Sequence, residues 1–412
     1  MRIIDSRDRN ALARVIAGTR ARDAAVARRA RTMIAAVRRR GDAALRQYAT
    51  RFDGLRPRQP LVIERSAFAA LSRSVGPDVR RAIRVAAANI ERVARAQVPR
   101  TWGVRVAPGV RIEHRVSPLA RVGCYVPGGR NPLVSSLLMT VIPARVAGVR
   151  GIVVACPRPV PAMAYAASVA GATEILCAGG AHAVAALAYG TASVAPVDKI
   201  VGPGSAYVAA AKAQVAADCA IDFHAGPTEI VMIADRGNPE WIAADLVAQA
   251  EHDPDARAIL LTPSRTIARA VASRVRASAA GFGSAAASLR RHGAIVLTTS
   301  VRDAAAIADR IAPEHLWCDD ERVAAMVRNA GTIFVGATSV PALGDYVTGS
   351  NHVLPTAGAA RARGGLSAAD FVKITTVQRI TRAGLRLLSG PGATLARIEG
   401  LEGHARSIEV RR

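Results

Sequence analysis

Hydrophobic and polar positions change their period along this chain, and the change predicts where helices and strands form. Residues 22–48 and 76–98 carry apolar side chains at helical spacing with few turn residues. After Pro118, short β-branched runs alternate with alanine-rich stretches of helical period. The predicted strands are 151–155, 174–177, 199–201, 228–234, 258–262, 294–298 and 332–335, and the predicted helices are 161–170, 181–189, 207–215, 239–252, 264–278 and 301–311. Strands that alternate with helices in this way are typical of βαβ units with mostly parallel sheets.

The alternation falls into two series, roughly 118–227 and 228–340, which predict two doubly wound domains. The segment from residue 341 onward is rich in loops and then helical. The predicted fold is therefore α/β, with two incomplete Rossmann-like domains, mostly parallel sheets, and small helical appendages at the N- and C-termini.

Length and composition fit this architecture. The chain has 412 residues, half of them hydrophobic and only 4% aromatic, so Ala, Val, Ile and Leu must provide the apolar area of more than one core. No run of about 18 consecutive apolar residues occurs, and the start MRIIDSRDRN lacks the apolar segment of a signal peptide. We therefore expect a cytoplasmic protein that does not enter a membrane.

The formal charge of +25 comes almost entirely from arginine, because the chain has only three lysines. A nucleic-acid-binding protein would concentrate this charge on one face or in a tail. Here arginine is spread through amphipathic helical stretches such as 28–40 and 80–95, which indicates solvated helix surfaces. We expect no specific nucleic-acid partner.

Cysteine usage argues against a disulfide framework or a thiolate metal site. The five cysteines are odd in number, widely spaced and free of any C-x-x-C pair. We expect them to be small buried side chains in a reducing compartment.

A dinucleotide site is less clear from local sequence, because the G-x-G-x-x-G fingerprint is absent. Instead, Ala178-Gly179-Gly180 joins a predicted strand to a predicted helix. Such a turn can offer free backbone N–H groups to a phosphate, but glycine is also common in turns that bind nothing.

Histidine, carboxylate and amide side chains recur in three segments that together contain a possible metal site. Gln249 and His252 are three residues apart on a predicted helix and share a face. Nitrogen and oxygen donors of this kind suit Zn²⁺, although surface pairs of histidine and aspartate are common without any metal. The other candidates are Asp345 and His352 in a loop and Glu399 and His404 near the C-terminus.

Glu314 and His315 are adjacent within Ala-Pro-Glu-His-Leu at 312–316. In a loop, both side chains can reach one reacting centre as an acid/base pair. The alternative is a helix-to-strand turn with an exposed charge.

Taken together, these segments resemble the histidinol dehydrogenase family. The resemblance runs in order from about residue 20 to the C-terminus, and eight motifs in the family's order are far more specific than one. The motifs are YVPGG at 125–129, GGAHAVAALAYGT at 179–191, VDKIVGPG at 197–204, AGPTE at 225–229, DLVAQAEHD at 245–253, APEHL at 312–316, GDYVTGSNHVLPT at 344–356 and EGLEGH at 399–404.

The resemblance implies an NAD-linked, zinc-dependent enzyme that oxidises L-histidinol to L-histidine through the aldehyde, with two NAD⁺ and one water. It implies one zinc ion per subunit, held by Gln249, His252, Asp345 and His404, and an acid/base pair formed by Glu314 and His315. The expected substrate contacts are these zinc ligands together with Thr228, His315, His352 and Glu399, and the expected cofactor contacts are Tyr125, His182 and Ser205.

The family resemblance also implies a homodimer with shared active sites. We expect an N-terminal appendage at 1–21, a larger α/β domain formed by 22–120 with 229–366, a second α/β domain on the cofactor side at 121–228, and a C-terminal appendage at 367–412 that completes the partner's site.

Several positions depart from the family pattern. His182 stands where glutamine is expected and Ser205 where asparagine is expected, both at positions associated with the dinucleotide. Thr228 replaces a serine but keeps the hydroxyl, and Gly364 stands where serine is frequent. The positions expected to bind metal and to transfer protons are intact.

Two alternatives remain at the level of sequence. The first is a paralogous NAD-dependent dehydrogenase that oxidises another small polar alcohol to its acid, although the retained Glu399 and His352 favour histidinol. The second is a basic nucleic-acid-binding protein without catalysis, which predicts eroded metal and acid/base positions that are not seen.

Overall fold

The computed structural model describes residues 1–18, 23–128, 133–223 and 226–411, and these form an α/β fold with three sheets. The strands are β1 (Arg2–Asp5), β2 (Val62–Glu64), β3 (Trp102–Ala107), β4 (Val110–Pro118), β5 (Arg121–Tyr125), β6 (Gly151–Ala155), β7 (Glu174–Leu176), β8 (Lys199–Val201), β9 (Ala220–Ile221), β10 (Glu229–Ile233), β11 (Arg257–Thr262), β12 (Ala294–Leu297), β13 (His315–Cys318), β14 (Thr332–Val335) and β15 (Val372–Ile380). The helices are α1 (Arg9–Ala17), α2 (Ala24–Arg40), α3 (Asp42–Tyr48), α4 (Phe68–Leu71), α5 (Pro77–Gln97), α6 (Val134–Val146), α7 (Pro161–Ala170), α8 (Gly180–Tyr189), α9 (Ala206–Val215), α10 (Pro239–Glu251), α11 (Arg265–Ser278), α12 (Gly283–Arg291), α13 (Val301–Ile311), α14 (Glu321–Ala324), α15 (Pro341–Tyr346), α16 (Arg382–Ile398) and α17 (Glu402–Glu409).

The first sheet has the strand order β1-β12-β11-β10-β13-β14, and all its pairs are parallel. Every residue of β10, β11, β12 and β13 is buried, because helices cover both faces of the sheet. One hydrophobic cluster lies on each face. The predicted second βαβ series is therefore confirmed as a parallel sheet.

The second sheet has the order β2-β7-β6-β5-β8-β9 and is parallel except at β2, which pairs antiparallel with β7. The helices α5, α6 and α7 contribute to the hydrophobic cluster on one face, and α2, α3, α8 and α9 contribute to the cluster on the other. The prediction of an α/β fold with mostly parallel sheets is confirmed.

Helix α5 illustrates how the sequence pattern produces this packing. Gly76 precedes Pro77 at the first helical position, where the missing N–H costs nothing. Its buried residues follow helical spacing and face the second sheet, whereas arginines cover the opposite face. The buried residues of this helix are Ile83, Ala86, Ala87, Ile90 and Ala94.

The third sheet is antiparallel, in the order β15-β4-β3. Its β15–β4 pairing joins residues that are about 260 positions apart in the chain. Most residues of β3 and β15 are exposed. Helices α16 and α17 pack on each other around a small cluster of three alanines, separate from the main cores.

The packing of the N-terminal third differs from the expected domain grouping. Strand β1 is part of the first sheet rather than an appendage, since it pairs with β12. Residues 23–97 pack on the second sheet, whereas the sequence was expected to group 22–120 with 229–366. The helical period shows that these helices have an apolar face but not which sheet that face covers. The expected boundary at residues 21 and 22 lies outside the described residues.

Two further features concern composition. All five cysteines are buried and none forms a disulfide, as their spacing predicts. No helix among the described residues is long and apolar enough to cross a bilayer.

We expect the packing of the N-terminal helices on the second sheet to stabilise the fold. Leu45 is fully buried in the cluster formed by α2, α3, α8 and α9, so Leu45→Ala should lower the free energy of unfolding by about 2–5 kcal/mol through lost transfer energy and a cavity. The matched control is Leu71→Ala at the end of α4, where the side chain is 44% exposed. Chemical denaturation measures both variants, and equal losses would contradict this packing.

Candidate active site

Thr228 and the acid/base candidates Glu314 and His315 lie at the amino ends of two neighbouring strands of the first sheet. Thr228 immediately precedes β10, and Glu314 immediately precedes β13, which pairs with β10. His315 is the first residue of β13 rather than part of a loop. Parallel pairing brings these positions together although they are about 86 residues apart in the chain.

Thr228 connects two of the predicted site residues through its hydroxyl group. The hydroxyl donates to Glu314 Oε2 at 2.5 Å and accepts from Gln249 Nε2 at 2.6 Å. Because the Gln249 amide nitrogen is used in this way, its carbonyl oxygen faces away from Thr228 and is available as a ligand. Thr228 thus has a hydrogen-bonded hydroxyl group at the position where the family pattern has serine.

Glu314 is a buried carboxylate with one oxygen held in place. Its Oε2 also accepts a hydrogen bond from the backbone N–H of Glu229 at 2.9 Å. Burial raises the pKa of the Glu314 carboxyl above its ordinary value, while the charge on His315 and the hydrogen bonds from Thr228 and Glu229 oppose the rise. A carboxylate of raised pKa is a stronger base than an exposed one.

His315 lies between two carboxylates. Its Nδ1 is 3.7 Å from Glu314 Oε2, its Nε2 is 3.5 Å from Asp345 Oδ1, and its ring stacks on Phe334. Burial opposes protonation, but the charges of Glu314 and Asp345 outweigh it, so the pKa of His315 lies above its ordinary value. The buried Nδ1 has no hydrogen-bond partner among the described residues, which is expected of a group that acts on a ligand.

Asp345 joins His315 to His352. The Asp345 carbonyl accepts a hydrogen bond from His352 Nδ1 at 2.8 Å, and His352 Nε2 lies 3.1 Å from the hydroxyl of Ser136 at the start of α6. Burial disfavours the Asp345 carboxylate, yet His315, His352 and His252 together hold its pKa below the usual range. Burial lowers the pKa of His352, so this histidine is neutral near pH 7.

His252 follows the last residue of α10, one turn from Gln249, and its ring is exposed. Its Nδ1–H donates to the carbonyl of Ala248 at 3.0 Å, which leaves the lone pair of Nε2 free for a ligand. Gln249 Oε1, His252 Nε2 and an Asp345 oxygen are donors of the type that Zn²⁺ takes. Within the described residues, no three His, Cys, Asp or Glu side chains are placed to hold a metal.

Glu399 and His404 are not brought to this group. Glu399 follows α16 and His404 lies in α17, and both side chains are exposed. Among the hydrogen bonds and ion pairs of the described residues, none joins either side chain to Gln249, His252 or Asp345.

The predicted cofactor contacts lie at the carboxyl edge of the second sheet. Tyr125 ends β5, and its hydroxyl accepts a hydrogen bond from the N–H of Gly180 at the start of α8 at 2.9 Å. Burial raises the pKa of Tyr125 to about 12, so the phenol keeps its proton as a donor. Ser205 is exposed at the N-terminus of α9, and its hydroxyl forms no capping bond with that helix.

His182, the third expected cofactor contact, is a buried side chain. Its ring is 2% exposed, and Nε2 lies 2.8 Å from Asp53 Oδ2. Asp53 Oδ2 also accepts the N–H of Gly179 at 2.9 Å, and the rings of Tyr48 and Phe52 lie beside the imidazole. Asp53 thus links His182 to the glycine turn, and the other ring nitrogen, Nδ1, has no hydrogen-bond partner among the described residues.

Comparison with known proteins now decides the family. Residues 17–412 match the histidinol dehydrogenase family. The histidinol dehydrogenase of Methanothermobacter thermautotrophicus is 46% identical over 391 residues, which are 92% of each chain, and that of Rhizobium meliloti is 45% identical over 92% of this chain and 91% of its own. This chain belongs to the histidinol dehydrogenase family. The crystal structure of histidinol dehydrogenase from Elizabethkingia anophelis superposes with a TM-score of 0.93 at 31% identity, covering 100% of this chain and 97% of that one.

Some residues of this histidinol dehydrogenase-like site were not identified from the sequence. Asp53 had no local signal, because its partner His182 is 129 residues away. Ser136 lies in a helix of low polarity and is recognisable only through its contact with His352. Glu229 was visible within the AGPTE motif, but its buried ion pair with Arg257, 2.6 Å long, was not.

Proposed function

We propose that this chain oxidises L-histidinol to L-histidine through the aldehyde, in two successive steps that each reduce one NAD⁺. The observation that carries the proposal is the buried Glu314–His315 pair, held between the Thr228–Gln249 hydrogen bonds and Asp345 in a chain of this family. The reaction belongs to histidine biosynthesis, and five reduced cysteines fit a place in the cytoplasm.

We propose that Gln249, His252 and Asp345 of one subunit, with His404 of the partner subunit, bind one zinc ion. The three donors of one chain have free oxygen or nitrogen atoms, and a fourth nitrogen ligand would give the tetrahedral set that Zn²⁺ prefers. Bound zinc would orient the imidazole and amine of histidinol and so act mainly as a template.

The shared site requires a homodimer, and the surface of the C-terminal region supports one. Strands β3 and β15 expose Trp102 and Ile374 by more than half of their area, and Ile398 at the end of α16 is 76% exposed. Apolar side chains at this exposure are typical of surfaces that a second copy covers. Glu399 and His404 lie beside this surface, so they would enter the partner's site, where Glu399 contacts substrate.

His315 is the base for oxidation of the alcohol. Its raised pKa and its position between Glu314 and Asp345 make the neutral imidazole a base that can accept the hydroxyl proton while hydride leaves the carbon that carries this hydroxyl for NAD⁺. Asp345 and Glu314 stabilise the imidazolium that forms. Thr228 and His352 would contact the substrate beside it.

Glu314 is the base for the second oxidation. One of its oxygens is fixed by Thr228 and the Glu229 N–H, so the other can accept a proton from the water that adds to the aldehyde. NAD⁺ supplies the hydride acceptor in both steps. We place it along the carboxyl edge of the second sheet, where the Ser205 hydroxyl is exposed and the Tyr125 hydroxyl, which accepts the Gly180 N–H, still has its own proton to donate.

The first expected result is NADH formation when purified protein receives L-histidinol and NAD⁺. Chelation should abolish the activity, since the substrate loses its template, and added Zn²⁺ should restore it. Absorbance of NADH measures both. Another small polar amino alcohol oxidised faster than histidinol would favour the paralogous dehydrogenase, and activity that survives complete metal removal would contradict the zinc site.

A second prediction tests whether the site is shared. His252→Ala and His404→Ala should each be inactive, yet subunit exchange between them should restore about a quarter of wild-type activity, because half of the dimers then contain one intact site of two. The control mixture of His252→Ala with Asp345→Ala should stay inactive, since both residues come from the same subunit of each site. Recovery in neither mixture would place His404 outside the partner's site.

A third prediction separates the two bases. Glu314→Gln should slow oxidation of the aldehyde more than oxidation of the alcohol, because only the former needs an activated water. His315→Asn should slow both by about 10²–10⁴-fold. Rapid kinetics with histidinol and with its aldehyde measure the two steps. The control is Glu240→Gln at the exposed start of α10, and equal losses in Glu314→Gln would contradict the division.

A further inference from the structure

A buried ion pair that the proposed chemistry does not use lies beneath the cofactor edge of the second sheet. Lys212 in α9 and Asp222 after β9 are 2% and 4% exposed, and their charged groups are in hydrogen-bond contact. The chain contains only three lysines, so a buried one here is not a result of lysine-rich composition.

The pair holds both backbone groups of a single glycine. The Lys212 ammonium donates to the carbonyl of Gly202 at 2.9 Å, and Asp222 Oδ2 accepts the N–H of Gly202 at 2.8 Å. The second oxygen of Asp222 accepts the N–H of Phe223 at 2.6 Å. Gly202 begins the Gly-Pro-Gly loop that leads to Ser205, so the pair fixes this loop at its first residue.

Gly202 also packs against the other cofactor loop. Its φ of +110° is a conformation that side chains rarely adopt, and a Cβ there would lie 2.1 Å from the carbonyl oxygen of Tyr125. Tyr125 in turn accepts the N–H of Gly180. The loops that follow β5, β7 and β8 at the carboxyl edge are therefore in contact with one another: Gly202 packs against Tyr125, and the Tyr125 hydroxyl binds Gly180.

The backbone of Asp222 is anchored from the opposite side. The guanidinium of Arg363 donates to the Asp222 carbonyl, lies 4.8 Å from the ring of Phe223, and pairs with Asp370. The Asp222 backbone is thus held by Arg363, and its side chain in turn holds Lys212 and the N–H of Gly202.

A buried ion pair is weak evidence for stability, because a hydrophobic pair of similar volume often serves as well. Both charges here are directed at one loop. We propose that Lys212 and Asp222 are positioning residues that hold the 202–205 loop in the conformation that receives the dinucleotide. This inference rests on the proposed function, since it assumes that NAD⁺ binds at this edge.

The test uses the full-length dimer with its zinc and the double variant Lys212→Met/Asp222→Asn, which leaves no unpaired buried charge. We expect KM and Kd for NAD⁺ to rise about tenfold, as for the loss of one well-placed hydrogen bond, while kcat, KM for histidinol and zinc content change less than about twofold. Hydrogen exchange should accelerate in the peptide that covers 202–210.

The matched control is the double variant Arg121→Met/Glu174→Gln. These two residues form a largely buried ion pair at the opposite, amino edge of the same sheet and have no hydrogen bond to the 202–205 loop among the described residues, so NAD⁺ affinity should stay within about twofold of wild type. A Lys212→Met/Asp222→Asn variant that loses thermal stability but keeps its NAD⁺ affinity and loop exchange would overturn the positioning role. Wild-type protein that fails to bind NAD⁺ would instead overturn the proposed function.

Discussion

Burying a carboxylate is costly unless hydrogen bonds support it, and the bonds that support Glu314 connect several parts of the site. One oxygen takes the hydroxyl of Thr228 and the N–H of Glu229, both at the amino end of the neighbouring strand. Thr228 then fixes the amide of Gln249, and Glu229 is itself neutralised by Arg257. One hydrogen-bonded network thus connects Glu314 before β13, Thr228 and Glu229 at the start of β10, and Gln249 in α10.

The turn that delivers Glu314 carries some backbone strain. Ala312 ends α13 with φ of +53°, a left-handed conformation that alanine rarely adopts. The chain then passes through Pro313 to Glu314 and enters β13. Such a conformation persists only where surrounding packing enforces it, and Ala312 is fully buried.

The buried strands were predictable from sequence because a strand covered on both faces of the sheet is a continuous apolar run. The helices were predictable from their apolar period, and glycine or proline stands near the ends of many elements. The strands Gly151–Ala155 and Thr332–Val335 and the helix Pro161–Ala170 have the predicted bounds. The third sheet was not predicted, since its strands are exposed and show no buried face. Strand β13 was also missed, because it is four residues long and begins with the polar His315.

The candidate site divides in a similar way. Residue types with metal and acid/base chemistry were recognisable from eight motifs, and Thr228, Gln249, Glu314, His315, Asp345 and His352 are indeed linked in one group. The residues from distant segments that hold these loops in place were not recognisable from the sequence. Asp53 behind His182 and Asp222 beneath Gly202 are known only from contacts, because the sequence holds no local sign of which buried charges meet.

The exposed His404 has a consequence for metal occupancy. If the fourth ligand comes from the partner, zinc binding and dimer formation are linked by mass action: each favours the other, and dilution lowers the metal affinity. In a two-fold symmetric dimer the exchange would be reciprocal, and each subunit would depend on the other for a complete coordination sphere. An isolated subunit would then be a weak zinc binder with an intact fold, and cellular abundance would itself set the fraction of metal-loaded enzyme.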